Sequence, residues 1–211
     1  MGLVTWREGE NRINLDSLAR LEEILDELES IEGALALVLS GQGKFFSNGL
    51  DLERFAQNPV EFTETLVALK RFVGRLLLYP AYTVAALNGH TFAGGALISC
   101  GFDYRIMRVD RGFWCMNEAE IGLALDEGLW SIIANRLPRA TAVLAATTAR
   151  RFSGPDALAN GIVEALADEA DLVDTAVERA EQMSTLDRKV LRAHKRLIHG
   201  EVAAGLGYRA D

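Results

Sequence analysis

Leu15, Leu18, Leu21, Ile24, Leu25 and Leu28 recur at helical spacing, with charged residues filling most positions between them. This pattern predicts an amphipathic helix over residues 16–30. Residues 34–39 read Ala-Leu-Ala-Leu-Val-Leu, a continuous apolar run suited to a strand buried on both faces. A turn follows at 40–44. Helical spacing returns over 62–78 and ends before Pro80, which cannot continue a helix. A second short strand is predicted at 83–87, with a turn through Asn88, Gly89 and His90. A buried helix entered at a glycine pair is predicted at 94–101, and a third strand at 104–109. Further helices are predicted near 129–137, 141–148 and 155–160, then a charged helical tail over 171–183 and 188–199. Strands alternating with helices define an α/β fold. The pattern changes near 151–155, which divides the chain into a sheet-containing core, residues 1–152, and a mostly helical region, residues 153–211. No fixed-period repeat and no low-complexity segment interrupts this order.

Composition narrows the classes. The 211 residues carry 22 Lys and Arg against 30 Asp and Glu, a net charge of −8, and 49% are hydrophobic. That hydrophobic share argues against disorder as the main state. The acidic balance argues against non-specific binding to nucleic acid or to anionic membranes. Two cysteines, Cys100 and Cys115, and three histidines fit neither a disulfide framework nor a structural zinc site. The opening residues show neither a signal-peptide nor a transit-peptide pattern, and no apolar run reaches membrane-spanning length. The expectation is a soluble, cytoplasmic protein with reduced thiols, no nucleic-acid partner and no membrane.

Three stretches carry candidate chemistry. Phe46-Ser47-Asn48-Gly49-Leu50-Asp51-Leu52 follows one strand, and Asn88 to Gly95 follows another. Two such turns at neighbouring strand ends would aim backbone N–H groups at one oxygen; otherwise they are plain sheet-to-helix corners. The glycine spacing matches neither a dinucleotide fingerprint nor a P-loop. The third stretch, Met116 to Gly122, holds Glu118 and Glu120. A carboxylate flanked by Trp114, Met116 and Ile121 would have a raised pKa suited to proton transfer; the alternative is a pair of solvated helix-start residues. Asp126 lies eight positions after Glu118, about two helical turns on. His90 reads as a hydrogen-bonding turn residue and Cys115 as an inert buried thiol.

Together these motifs resemble the crotonase family of enoyl-CoA hydratases and isomerases. Residues 43–52 are similar to its first oxyanion-hole segment and residues 85–95 to its second. Asp103 to Met107, followed by Asn117 to Leu123, is similar to the stretch bearing its catalytic glutamate. The resemblance spans about residues 31–163 and implies a ββα spiral core with a short helical C-terminal region that helps assembly and completes the acyl pocket. It implies an acyl-CoA thioester as substrate, coenzyme A being part of that substrate rather than a cofactor, with no metal or other cofactor. It further implies backbone N–H donors at Leu50 and Gly94 and Glu118 as acid/base. Ser47, Asn48, Gly49, Asp51, Leu52 and Gly95 would line the substrate and CoA path, and the protein would assemble as a homotrimer or hexamer.

Departures from the family pattern refine this expectation. Family hydratases carry a second glutamate at the position of Leu97, which cannot activate water. A single glutamate resembles the delta-3,delta-2-enoyl-CoA isomerases, which convert 3-enoyl-CoA to 2-enoyl-CoA. The pair Glu118 and Asp126 resembles that of dienoyl-CoA isomerases, making Asp126 a candidate secondary acid. Hydration, thioester hydrolysis, decarboxylation and non-catalytic acyl-CoA binding are the remaining alternatives. The chain also reads as short for the family at both ends, with the opening strand trimmed. Lys195 and Arg196 read as surface charge, with contact to CoA phosphates as the alternative.

Overall fold

The computed structural model describes residues 2–210. In chain order its strands are β1 (Gly2–Trp6), β2 (Ala36–Gly41), β3 (Phe45–Ser47), β4 (Tyr82–Leu87), β5 (His90–Phe92), β6 (Tyr104–Arg108), β7 (Trp114–Cys115) and β8 (Ala165–Ala167). Its helices are α1 (Leu15–Glu29), α2 (Leu52–Gln57), α3 (Pro59–Leu77), α4 (Gly94–Cys100), α5 (Glu118–Ile121), α6 (Glu127–Arg136), α7 (Arg139–Thr148), α8 (Gly154–Ala159), α9 (Leu172–Met183) and α10 (Arg188–Gly205). Five strands pair in parallel in the order β1-β2-β4-β6-β8, and β3, β5 and β7 form a second parallel sheet. Among the described residues no helix is long and apolar enough to cross a membrane.

One unit repeats three times along the chain. A strand of the large sheet turns a tight corner into a short strand of the small sheet, and helix leads back to the large sheet. The units are β2-β3-α2-α3, β4-β5-α4 and β6-β7-α5-α6. This is the expected ββα spiral. The side chain of Asn88 fixes one corner: Oδ1 accepts the Gly41 N–H at 2.8 Å, and Nδ2 donates to the Gly43 carbonyl at 3.1 Å.

Burial on both faces accounts for the unbroken apolar runs. Leu37 and Leu39 of β2, with Ala85 and Leu87 of β4, join the main core with α1, α3, α4 and α6. Ala36, Val38, Val84 and Ala86 face the other way, onto Leu172, Ala176 and Ala180 of α9. The small residues on α9 let it approach the sheet closely. Both α9 and the edge strand β8 lie beyond residue 152, so residues 153–211 help build the large sheet and cover one face of it.

Two readings of the sequence are corrected. The opening strand is not trimmed away: β1 pairs in register with β2 along all five of its residues. Its Leu3 is exposed, so β1 lacks the run that marked the inner strands. Lys195 is not surface charge and does not meet a phosphate at the surface. It is buried on α10, where Nζ donates to Asp103 at 2.6 Å and to the Ala81 carbonyl at 2.9 Å. Asp103 also accepts from the Thr83 N–H and hydroxyl, at 2.8 and 3.0 Å. The pair ties α10 to the start of β4.

Candidate active site

The three strands of the small sheet run parallel, so their carboxyl ends share one edge, where open α/β sheets commonly bind ligands. β3 leads into Asn48, Gly49 and Leu50; β5 into Ala93 and Gly94; β7 into Asn117 and Glu118. These segments border a cleft of about 280 Å³. Its walls are Arg12, Asn48, Leu50, Leu52, Glu53, Ala93, Asn117, Glu118, Ile121 and Leu123.

The first turn is held from several sides. Ser47 Oγ donates to the Asn11 carbonyl at 2.6 Å and accepts the Gly49 N–H at 3.2 Å. The Gly49 carbonyl accepts the Ile13 N–H at 2.8 Å, and the Ile13 carbonyl accepts the Asp51 N–H at 3.0 Å. Gly49 has φ +79°, a conformation that disfavours side chains. A Cβ there would stand 3.0 Å from Ala93 Cβ and 3.4 Å from the Gly94 nitrogen, so the first two turns abut. Among the described residues, the N–H groups of Leu50 and Gly94 have no acceptor. Two backbone donors without an acceptor thus come from adjoining turns.

The third strand supplies the acid. α5 begins at Glu118, which resolves the alternatives open in the sequence: Glu118 turns inward and is 7% exposed, while Glu120 turns outward to Arg151 at 3.4 Å. Glu118 Oε2 is buried and has no hydrogen-bond partner among the described residues. Burial pushes its pKa from 4.5 up to about 7, with its own backbone N–H opposing only in part. The other carboxylate on the cleft, Glu53, is exposed and paired with Arg12 at 3.1 Å. Leu97 of α4 is buried in the hydrophobic core, so no acid stands there.

The remaining sequence candidates divide. Asn48, Leu50 and Leu52 line the cleft; Ser47 and Gly95 lie behind it, packed on each other. A Cβ on Gly95 would meet Ser47 Cβ at 2.7 Å, so that glycine serves close packing. Asp51 caps α2 and lies 3.6 Å from Arg12. Asp126 does not line the cleft. It caps α6 by accepting the Leu129 N–H at 2.8 Å and pairs with Lys70 at 2.7 Å. Partial burial acts to raise its pKa, but the Lys70 ammonium and the Leu129 N–H prevail and lower it. Cys115 is buried with its thiol pushed up to about 11 by desolvation. His90 packs among Phe45, Phe92 and Phe113.

Arg12, Glu53 and Ala93 were not singled out from the sequence, whereas Ile121, read there as an apolar neighbour of the carboxylate, does line the cleft. Arg12 stands far along the chain from the other cleft residues and reaches the rim through the Ile13–Leu50 bridge. Ala93 sits at a position whose backbone suits glycine, with φ +46° and ψ −115°. An alanine gives no local signal of such a conformation.

Fold and site together define a crotonase-type enzyme. The family model for enoyl-CoA hydratase/isomerase matches residues 4–206, and the chain belongs to that family. It is 31% identical over 189 residues to the peroxisomal enoyl-CoA delta isomerase 2 of Arabidopsis thaliana, covering 84% of this chain and 78% of the relative. The human mitochondrial delta3-delta2-enoyl-CoA isomerase superposes with a TM-score of 0.88 at 25% identity, covering 98% of this chain and 82% of that one. An enoyl-CoA hydratase from Mycobacterium marinum also gives a TM-score of 0.88 at 25% identity, covering 97% and 90%. The relatives thus include both isomerases and hydratases.

Proposed function

We propose that this protein is an acyl-CoA double-bond isomerase that converts a 3-enoyl-CoA to the conjugated 2-enoyl-CoA. The observation that carries the reading is Glu118: a buried carboxyl group on the cleft wall, its Oε2 without a partner and its pKa raised to about 7, in a cleft bordered by the two turns whose Leu50 and Gly94 N–H groups have no acceptor among the described residues. A base of that pKa is matched to proton transfer near neutral pH.

In the proposed reaction the thioester oxygen is held by the N–H groups of Leu50 and Gly94. The ionised Glu118 removes a proton from C2; the C2–H electron pair enters the conjugated system, and charge collects on the thioester oxygen. Glu118 then delivers that proton to C4, the new double bond lies between C2 and C3, and the carboxylate is restored. An oxyanion donor is typically worth about 3 kcal/mol in such a step, and a positioned base about 10²–10⁴-fold. Leu97 supports isomerisation over hydration, because no second carboxylate is available there to activate water. The position of Asp126, paired with Lys70 outside the cleft, gives no support to a dienoyl acid pair.

Purified protein incubated with a trans-3-enoyl-CoA tests the reading through product analysis. The expected product is the conjugated 2-enoyl thioester, detected by its ultraviolet absorbance. A 3-hydroxyacyl thioester as the main product of a 2-enoyl-CoA, or release of free CoA, would replace isomerisation by hydration or hydrolysis.

A further inference from the structure

Ala93 is strained where it need not be. Its φ of +46° and ψ of −115° lie in a region that glycine enters freely and alanine rarely. Its backbone is committed at both ends: the N–H donates to the Cys115 carbonyl at 2.9 Å, and the carbonyl accepts the Leu97 N–H at 3.0 Å. A glycine would meet the same constraints without strain. What the alanine adds is a methyl group set against Gly49, on a residue that lines the cleft and is 8% exposed. No carbon-sized space is left between those two residues, since a Cβ on Gly49 would come within 3.0 Å of the methyl.

We propose that the Ala93 methyl is a specificity-determining group that restricts the site to acyl thioesters unbranched at C2. The inference rests on the reading that Leu50 and Gly94 hold the thioester oxygen. That contact brings C2 between the same two turns. One C2 hydrogen must face Glu118, so a branch on C2 points away from the base, toward the wall that Ala93 fills. An extra carbon forced into a filled apolar wall is discriminated against by about ten-fold or more.

The test compares butanoyl-CoA with 2-methylbutanoyl-CoA, which differ only by the methyl branch on C2. Neither carries a double bond, so their binding is independent of isomerase turnover. Calorimetric titration of the wild type is expected to show butanoyl-CoA binding about ten-fold more tightly. Ala93→Gly is expected to reduce that preference to about three-fold or less, with an unchanged or higher Tm because glycine relieves the strain. Equal binding of the two thioesters by the wild type, or full retention of the preference in Ala93→Gly, would overturn the proposal alone. Binding of neither thioester would overturn both it and the acyl-CoA reading on which it rests.

Discussion

Burial of Glu118 makes stability depend on pH in a direction opposite to that of most carboxylates. Its pKa rises from 4.5 to about 7 on folding. Below 4.5 both the folded and unfolded forms hold the proton. Between 4.5 and about 7 the folded form keeps a proton that the unfolded chain has released, so stability falls as pH rises. Above about 7 both are ionised and the loss is complete. At about 1.4 kcal/mol per pH unit, the full loss is about 3 kcal/mol. Glu118→Gln is neutral throughout and lacks this component. Urea denaturation of wild type and variant at pH 4.5 and pH 8 isolates it, because the other titrating groups cancel in the difference. The variant is expected to gain about 3 kcal/mol relative to wild type between the two conditions. A difference that moves by less than about 1 kcal/mol would refute a buried, uncompensated carboxyl at this position. The same pKa predicts that kcat/KM of the wild type rises with pH through an inflection near 7, as the base ionises.

Three other perturbations separate the site from its supports. Gly49→Ala places a side chain at φ +79° and 3.0 Å from Ala93 Cβ; it is expected to cost about 1–2 kcal/mol in urea denaturation and about 10²-fold in kcat by displacing the Leu50 N–H. Asp103→Ala strands the buried Lys195 ammonium, and denaturation is expected to show a loss of about 3–5 kcal/mol. Asp126→Asn keeps a capping side chain but breaks the exposed Lys70 pair; stability is expected to change by less than about 1 kcal/mol and turnover by less than about two-fold.

The elements legible in the sequence were those with enough residues to establish a period. The apolar spacing of α1 and α3 recurs over six or more positions, and the apolar runs of β2 and β4 are unbroken over at least four. The small sheet escaped notice because β3, β5 and β7 have two or three residues each, too few to display alternation. At the site, Glu118 was marked by its apolar neighbours and the glycine turns by their position after strands. What local pattern could not show was contact across the chain. Lys195 finds Asp103 across 92 positions, and Arg12 meets Glu53 only because Ile13 bridges to Leu50. Asp126 stands two helical turns from Glu118 on paper, yet α5 ends at Ile121 and α6 starts at Glu127, so no single helix carries both. Ala93 was invisible for a different reason: its strain comes from the corner it occupies, not from its own residue type.

The central claim is that one carboxyl group, Glu118, moves the proton. Turnover of a trans-3-enoyl-CoA by wild type and Glu118→Gln, both verified as folded by their denaturation curves, tests it most directly. The account predicts formation of the conjugated 2-enoyl thioester by the wild type and a loss of at least about 10²-fold in the variant. Full activity in Glu118→Gln would contradict it.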